Sequence, residues 1–252
     1  MRVLRTPAEV AAANPDPLVR WAAQCLAPGR GGVAWSHGDA VGVHAPALNR
    51  HDRLVLAGPV EDVRAILRAR ARPGLRPLVT AGTAAALPEF PAAATFGWME
   101  RTGELPAPAL PWLDESAWDD VESLLRKANP NSYVRPYEPG PRRWTGVRAD
   151  DGTLVAVGAD AWSAPGIGFI AGVATHPDHR GRGLSTRVCA FLTGALLAEH
   201  GACALMVDAG NRAAITVYER LGFAYRDVTA LRDAGHTERP EQDREDSPLT
   251  GS

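Results

Sequence analysis

One basic, glycine-bearing segment is the feature that most constrains how this chain folds. Residues 176–187 read His-Pro-Asp-His-Arg-Gly-Arg-Gly-Leu-Ser-Thr-Arg and lie between a small-residue apolar segment and a long amphipathic stretch. The free N–H groups and the dipole at a helix N-terminus favour anions, and glycine lets an oxygen approach the backbone without meeting a Cβ. The segment therefore predicts a strand, an anion-binding turn and a helix, in that order.

Two common phosphate motifs do not fit this turn. The dinucleotide fingerprint G-x-G-x-x-G lacks its third glycine, because Thr186 stands there, and no Gly-Lys-Ser/Thr sequence completes a P-loop. Three arginines surround the turn and favour a ligand with several phosphate charges: Arg180, Arg182 and Arg187. An ordinary basic turn at a helix start is the alternative that this motif alone leaves open.

A second motif lies downstream, after the apolar run 202–208. Residues 211–223 read Asn-Arg-Ala-Ala-Ile-Thr-Val-Tyr-Glu-Arg-Leu-Gly-Phe. Asn211 is a favourable N-cap, and Ile215 and Tyr218 follow at helical spacing. Gly222 suits the left-handed position that ends a helix. This pattern predicts a short helix after a buried strand.

Together the two motifs resemble those of the GNAT superfamily of acyl-CoA-dependent N-acyltransferases. The resemblance covers about residues 112–227. It is carried by residues 173–185, with the signature Arg180-x-x-Gly183-x-Ser185, and by Asn211-x-x-Ala214-x-x-x-Tyr218-x-x-x-Gly222-Phe223. Ser185 stands where the family usually has Gly or Ala. The glycine N-acyltransferase-like branch of the superfamily is one branch that the resemblance leaves open.

The resemblance implies an α/β (α+β) fold with a mixed, mainly antiparallel sheet flanked by helices. Local patterns agree, since they predict a helix over 115–128, a hairpin at Asp151-Gly152, a strand over 167–175, a helix over 184–200, a strand over 202–208 and a helix over 212–221. Residues 1–108 are expected to form a smaller N-terminal α/β support domain, and residues 109–232 the acetyltransferase domain. A degenerate GNAT-like half and an unrelated α/β arrangement both remain open for the first domain.

Acetyl-CoA is the co-substrate that the resemblance implies. The positions that would contact it are Val173, Ala174, Thr175, Arg180, Gly181, Arg182, Gly183, Leu184, Ser185, Thr186 and Asn211. Asn211 matches the position that contacts the pantetheine arm. Tyr218 matches the position whose phenol protonates the departing thiolate, and a packed aromatic on an amphipathic helix is the alternative role for this residue.

The general base is less clear from the sequence. The predicted strand 167–175 has no glutamate, and Met206 stands where other members of the family carry one. Asp160 and Asp208 are the nearest carboxylates along the chain, although each also fits a strand end or a turn. A relay of ordered waters is the default route for the proton.

Acceptor selection is expected from the segment 131–140 and its surroundings. Tyr133, Arg135 and Trp162 are the residues predicted to line the acceptor site. A solvated loop is the alternative for this segment. The leading function is transfer of an acetyl or short acyl group from acyl-CoA to an amine of a small-molecule or amino-acid-like acceptor. The alternatives are a catalytically inactive CoA-binding regulatory module and a protein N-terminal or lysine acetyltransferase.

Composition bounds the remaining possibilities. The chain has 252 residues and a net charge of −2, which gives no argument for nucleic-acid or membrane partners. The three cysteines are widely spaced and predict neither a disulfide framework nor a zinc site, and no metal is expected at His176 and His179. No signal peptide or spanning segment is evident, so a cytoplasmic monomer or homodimer is expected. The acidic segment 233–252 is expected to be a disordered tail.

Overall fold

The computed structural model describes residues 1–232, so the expected acidic tail lies outside the described residues. The helices and strands fall into two consecutive regions of the chain, called here the first half and the second half. The first half comprises β1 (Arg2–Leu4), α1 (Pro7–Ala13), α2 (Pro17–Ala22), β2 (Val33–His37), β3 (Ala40–Leu48), β4 (His51–Ala57), α3 (Val60–Arg70), β5 (Arg76–Thr80), α4 (Ala81–Ala85) and β6 (Ala92–Thr102).

The second half repeats much of this order. It comprises β7 (Trp112–Leu113), α5 (Trp118–Ala128), β8 (Pro141–Arg148), β9 (Leu154–Ala161), β10 (Gly168–Thr175), α6 (Leu184–His200), β11 (Ala202–Val207), α7 (Arg212–Arg220) and β12 (Ala224–Leu231). The predicted helix over 184–200 is confirmed, and the hairpin at Asp151-Gly152 joins β8 to β9. No helix within the described residues is long and apolar enough to span a bilayer.

All twelve strands form one sheet, in the order β1-β2-β3-β4-β5-β12-β6-β11-β10-β9-β8-β7. In each half, three antiparallel strands lead through a helix to a parallel strand: β2-β3-β4 to β5, and β8-β9-β10 to β11. The predicted mixed, mainly antiparallel sheet flanked by helices is therefore confirmed. The first half is a second, shortened copy of the same topology.

The two halves exchange their last strands. β6 ends the first half but pairs with β11 of the second, whereas β12 ends the second half and pairs with β5 of the first. β6 and β12 also pair with each other, so that Trp98 lies opposite both Met206 and Arg226. Each half therefore completes its sheet with the other's strand. The domain boundary near residue 108 remains a prediction for the chain, although the sheet is continuous across it.

Helices cover both faces of the sheet. Alternate side chains of each strand point to opposite faces of the sheet. Val55 and Phe169 pack with α1, α2 and α5, which therefore cover one face. The other face is covered by α3, α4, α6 and α7. An aromatic stack joins the halves on the first face. Trp21 of α2 stacks on Phe169 of β10 with ring centroids 4.6 Å apart, and Trp98 of β6 lies 5.5 Å from Trp21. This shared core fixes the first half against the strands that carry the site.

Candidate active site

A gap opens in the sheet between β10 and β11. The two parallel strands pair over three registers, from Gly168 with Cys203 to Ile170 with Leu205. β10 then continues to Thr175 and β11 to Val207, and within the described residues no further pairing joins them. Beyond these registers the facing edges of β10 and β11 are not paired with each other, and this part of the sheet is called the opening.

A bulge turns the edge of β10 at this opening. The register with β9 shifts between Ala171 and Ala174, and Gly172 has a left-handed φ of +64°. A Cβ on Gly172 would lie 2.8 Å from the Trp144 ring, so both the conformation and the space require glycine. The extra residue leaves part of the backbone unpaired with β9. Val173, Ala174 and Thr175, predicted to contact the cofactor, follow directly at the edge of the opening.

The predicted anion-binding turn connects β10 to α6. Gly181 and Gly183 have φ of +75° and +73°, and Gly183 is the N-cap of α6. A Cβ built on either glycine meets nothing within 4 Å, so the turn is open. No side chain caps this helix, and its first turn carries no acidic residue. The first-turn N–H groups, which include those of Leu184, Ser185 and Thr186, are therefore available to an anion.

The three arginines of the turn carry their charge at the surface. Arg180 donates to the carbonyl oxygens of Thr175 and Ala128 over 3.4 and 3.3 Å. Arg182 and Arg187 make similarly long hydrogen bonds to backbone carbonyls. Among residues 1–232 none of the three is paired with a carboxylate. The turn therefore combines free N–H donors with uncompensated positive charge.

The corresponding turn of the first half is closed. Only Gly58 and Pro59 separate β4 from α3, and a Cβ on Gly58 would lie 2.5 Å from the Ala40 Cα atom. The first turn of α3 carries Glu61 and Asp62, whose charges occupy the positive end of the helix dipole. A phosphate fits the second half and is excluded from this position in the first.

Tyr218 lies buried on α7 and faces α6. Its side chain is 7% exposed, and its ring packs edge-on against Phe223 at 5.9 Å. Burial, followed by the neighbouring thiol of Cys189, raises the pKa of the Tyr218 phenol well above its ordinary value. The phenol therefore stays protonated at neutral and mildly alkaline pH, as a proton donor must.

The cysteines are unsuited to nucleophilic catalysis. Burial raises the pKa of Cys25 to about 11 and that of Cys189 to about 12, and it raises the pKa of Cys203 well above its ordinary value. Because a thiolate rather than a thiol is the nucleophile, these groups are inert at neutral pH. An acyl-cysteine intermediate has no support in this geometry.

Two predicted site residues shape the turn between β11 and α7. Asn211 is the N-cap of α7, and its side-chain oxygen accepts from the Ala214 N–H over 3.1 Å. Asn211 is an exposed residue in the turn that follows β11. Asp208 is exposed, and its carboxylate accepts from the Gly210 N–H over 2.7 Å. The structure thus gives Asp208 a turn-forming role, and its predicted role as a base has no further support.

Asp160 lies in a buried ion pair, which gives no support to the catalytic role predicted for it. Its fully buried carboxylate lies 3.1 Å from Arg143 and 3.5 Å from Arg142, and it also accepts from the Ser163 hydroxyl. Asp160 pairs in register with Ile170, the last residue at which β10 is joined to β11. We therefore assign Asp160 to the core ion pair that joins β8 and β9.

A broad cavity of about 820 Å³ lies beside the segment 129–140. Val134 of this segment packs near Gly172 at the bulge, while Tyr133 and Arg135 line the cavity. Arg135 is held by Glu122 at 3.1 Å and by the Pro130 carbonyl at 2.6 Å. One segment thus contacts both the bulge and the cavity.

The prediction for Trp162 is corrected. Its ring is 7% exposed and packs against Gly140, and its carbonyl accepts hydrogen bonds from Trp21 and Gln24 at 2.9 and 2.6 Å. Trp162 therefore joins the two halves and does not line the cavity.

The first half supplies cavity residues that the sequence interpretation missed. Arg50 and His51, at the turn into β4, line the cavity opposite the segment 129–140, and Arg50 forms an ion pair with Glu138. No local pattern marks these residues, because their position depends on how the two halves meet. The support domain of the sequence interpretation is therefore also a wall of the cavity.

Comparisons with known proteins agree with this architecture. Residues 147–231, from the end of β8 to the end of β12, match the family model described as FR47-like protein. Residues 147–231 are therefore similar to the FR47-like family. No curated protein matches the chain.

Solved structures show the same fold at low sequence identity. A GCN5-related N-acetyltransferase from Kribbella flavida is 22% identical, with 81% of this chain and 90% of that chain covered and a TM-score of 0.54. A second, from Sphaerobacter thermophilus, is 19% identical, with 76% and 79% covered and a TM-score of 0.50. A tandem GNAT protein from the clavulanic acid biosynthesis pathway is 17% identical, with 82% and 84% covered and a TM-score of 0.50. Over the residues covered, the chain therefore shares the fold of these structures, in agreement with the resemblance found in the sequence.

Proposed function

We propose that the second half transfers an acetyl or short acyl group from acyl-CoA to an amine. The observation that carries this proposal is the uncapped N-terminus of α6, which opens onto a turn with two left-handed glycines and three arginines that no carboxylate of residues 1–232 pairs with. This turn lies at the end of a bulged strand beside a gap in the sheet. An acyl-CoA matches both features. Its charged phosphates suit the turn, and its extended arm carries amide groups that can pair with the strand edges.

The proposed roles follow from the geometry of each group. The N–H groups of the first turn of α6, with Arg180, Arg182 and Arg187, would hold the pyrophosphate, and the edge of β10 over Val173–Thr175 would pair with the arm. Asn211 presents its side chain at the end of β11, on the other edge of the opening. When bound, an acyl-CoA supplies an acyl group already activated as a thioester.

Proton transfers are assigned to Tyr218 and to water. Tyr218 holds its proton at neutral pH and is suited to protonate a departing thiolate. The acceptor amine must lose a proton, and we propose ordered waters for this step because Asp160 is in an ion pair and Asp208 shapes a turn. The cysteines take no part, which makes the transfer a direct one.

We propose the cavity beside the segment 129–140 as the acceptor site. Its volume of about 820 Å³ suits a small molecule, and Val134 connects the segment to the bulge at Gly172. A small-molecule amine is thus the favoured acceptor over a protein N-terminus or lysine. The cytoplasm as location and a monomer or homodimer as assembly remain predictions.

Acetyl-CoA is expected to raise the melting temperature of the protein. A ligand that binds only the folded state stabilises it by RT ln(1 + [L]/Kd), or about 2.7 kcal/mol at a hundredfold excess over Kd. ATP and NAD carry phosphates without the pantetheine arm and should raise the melting temperature less. Equal shifts from ATP and acetyl-CoA, or no shift from acetyl-CoA, would count against the proposed site.

A further inference from the structure

Arg53 is a buried cation without an anionic partner. It lies on β4 in the first half and is 5% exposed. Its Nε donates to the Leu48 carbonyl over 3.2 Å, and within residues 1–232 its other two nitrogens donate no hydrogen bond. A buried charge is normally paired, because removal from water without a counter-charge is costly. Burial of Arg53 therefore carries a free-energy cost that no carboxylate within residues 1–232 offsets.

The surroundings of Arg53 add positive charge. Arg76 lies directly opposite Arg53 in the register of β4 and β5, and its guanidinium lies 3.3 Å from the His51 ring. Burial, then Arg53 and Arg76, lowers the pKa of His51 to about 4, so the ring is neutral at pH 7. Burial and Arg76 likewise lower the pKa of Arg53 to about 10, whereas Tyr133 opposes them. No carboxylate is among the groups acting on Arg53.

This cluster adjoins the cavity that we assign to the acceptor. His51 and Arg53 are two residues apart on one strand and therefore share a face of the sheet, and His51 lines the cavity. Tyr133 also lines the cavity, and its phenol lies near Arg53, whose pKa an ionised Tyr133 would raise. Other cations around the cavity are already compensated: Arg50 by Glu138, and Arg126 and Arg135 by Glu122. An anionic ligand in the cavity would therefore supply the counter-charge that Arg53 lacks among the described residues.

We propose that Arg53 binds a carboxylate of the acceptor, so that the substrate is an amine that also carries a carboxylate group. The two free nitrogens of Arg53 can donate in parallel to the two oxygens of a carboxylate. This inference rests on the proposed function for the amine, but the anion site follows from the first half alone. It makes the first half the part of the protein that selects the acceptor.

The test compares matched pairs of ligands. Turnover is measured by thiol release with amino acids and with their primary amides, which lack the carboxylate charge. Because the amide also lowers the pKa of the amine, kcat/KM is compared per concentration of neutral amine. The parent should favour the acids by at least about tenfold in kcat/KM, mainly through KM, because a charge-assisted bidentate contact is lost with the amides. R53Q should remove this preference, R53K should retain part of it, and R64Q, which removes an arginine paired with Glu61 and Glu89, should leave it unchanged.

A second measurement does not depend on turnover. Sodium acetate, compared with sodium chloride at equal ionic strength, should raise the melting temperature of the parent but not that of R53Q. Without added anion, R53Q should be at least as stable as the parent, because the substitution removes an uncompensated buried charge. The acetate measurement tests whether Arg53 binds a carboxylate even if no acceptor is acetylated. Turnover without a preference for acids would contradict the anion site but leave the proposed acyl transfer intact.

Three results would overturn the inference. R53Q could retain the acid preference or the acetate effect. R53Q could fail to fold, which would make Arg53 a structural residue. Phosphate could stabilise the parent more than R53Q while acetate stabilises both equally, which would assign the cluster to a phosphate group.

Discussion

Replacing Tyr218 with Phe is expected to lower kcat by roughly 10²- to 10⁴-fold, the range for loss of a positioned general acid. The ring packs against Phe223 and would keep that contact, so CoA affinity and melting temperature should remain nearly unchanged. Because the pKa of the Tyr218 phenol is raised, the parent should keep its kcat up to at least about pH 10, the ordinary value for tyrosine. Kinetics of thiol release across this pH range, with thermal melts, measure both effects.

Tyr225→Phe is the matched control for this substitution. Tyr225 lies on β12, and its hydroxyl donates to Asp227 over 2.7 Å at the surface. Loss of this hydroxyl should change kcat little. If Y218F turns over at the parent rate, or if its loss of activity follows a loss of stability, Tyr218 is a packed aromatic and the thiolate is protonated by another group.

Replacing Gly183 with Val is expected to weaken acetyl-CoA binding at least tenfold, or about 1.4 kcal/mol. Gly183 has a φ of +73°, which a β-branched residue adopts only with strain, and its side chain would project into the open turn where the pyrophosphate is expected. Both effects would displace the first-turn N–H groups of α6. Isothermal titration of the folded variant with acetyl-CoA measures the loss.

Gly201→Val separates strain from binding. Gly201 lies at the other end of α6, with a φ of +78° and nothing within 4 Å of an ideal Cβ. The two variants should lose comparable stability, about 1–3 kcal/mol, but only G183V should lose affinity. Equal affinity in G183V and the parent would place the phosphate site elsewhere.

The second half could be predicted closely because its signals are local. A stripe of apolar residues and Gly201 define α6, and the Asp151-Gly152 turn defines the hairpin of β8 and β9. The sequence of that hairpin also contained information on the role of Asp160. Its register pairs Arg143 with Asp160, so the alignment of the two strands identifies the ion pair that removes Asp160 from catalysis.

The contribution of the first half could not be predicted from local patterns. No strand is predicted over residues 92–102, and nothing in their sequence specifies that β6 pairs with β11 of the second half. Such pairing depends on contacts between residues that are distant in sequence. The same holds for Arg53, which reads as one of many arginines in a basic region until the halves meet beside Tyr133.

Free-thiol release from acetyl-CoA, measured across a panel of amines and amino acids, tests the central claim most directly. We expect thiol release that depends on the acceptor and saturates with acetyl-CoA. An N-acetylated product should be detectable by mass spectrometry. Tight binding of acetyl-CoA with no transfer to any amine, amino acid or peptide would instead favour a CoA-binding regulatory module. Absence of both binding and transfer would contradict the proposed function of the second half altogether.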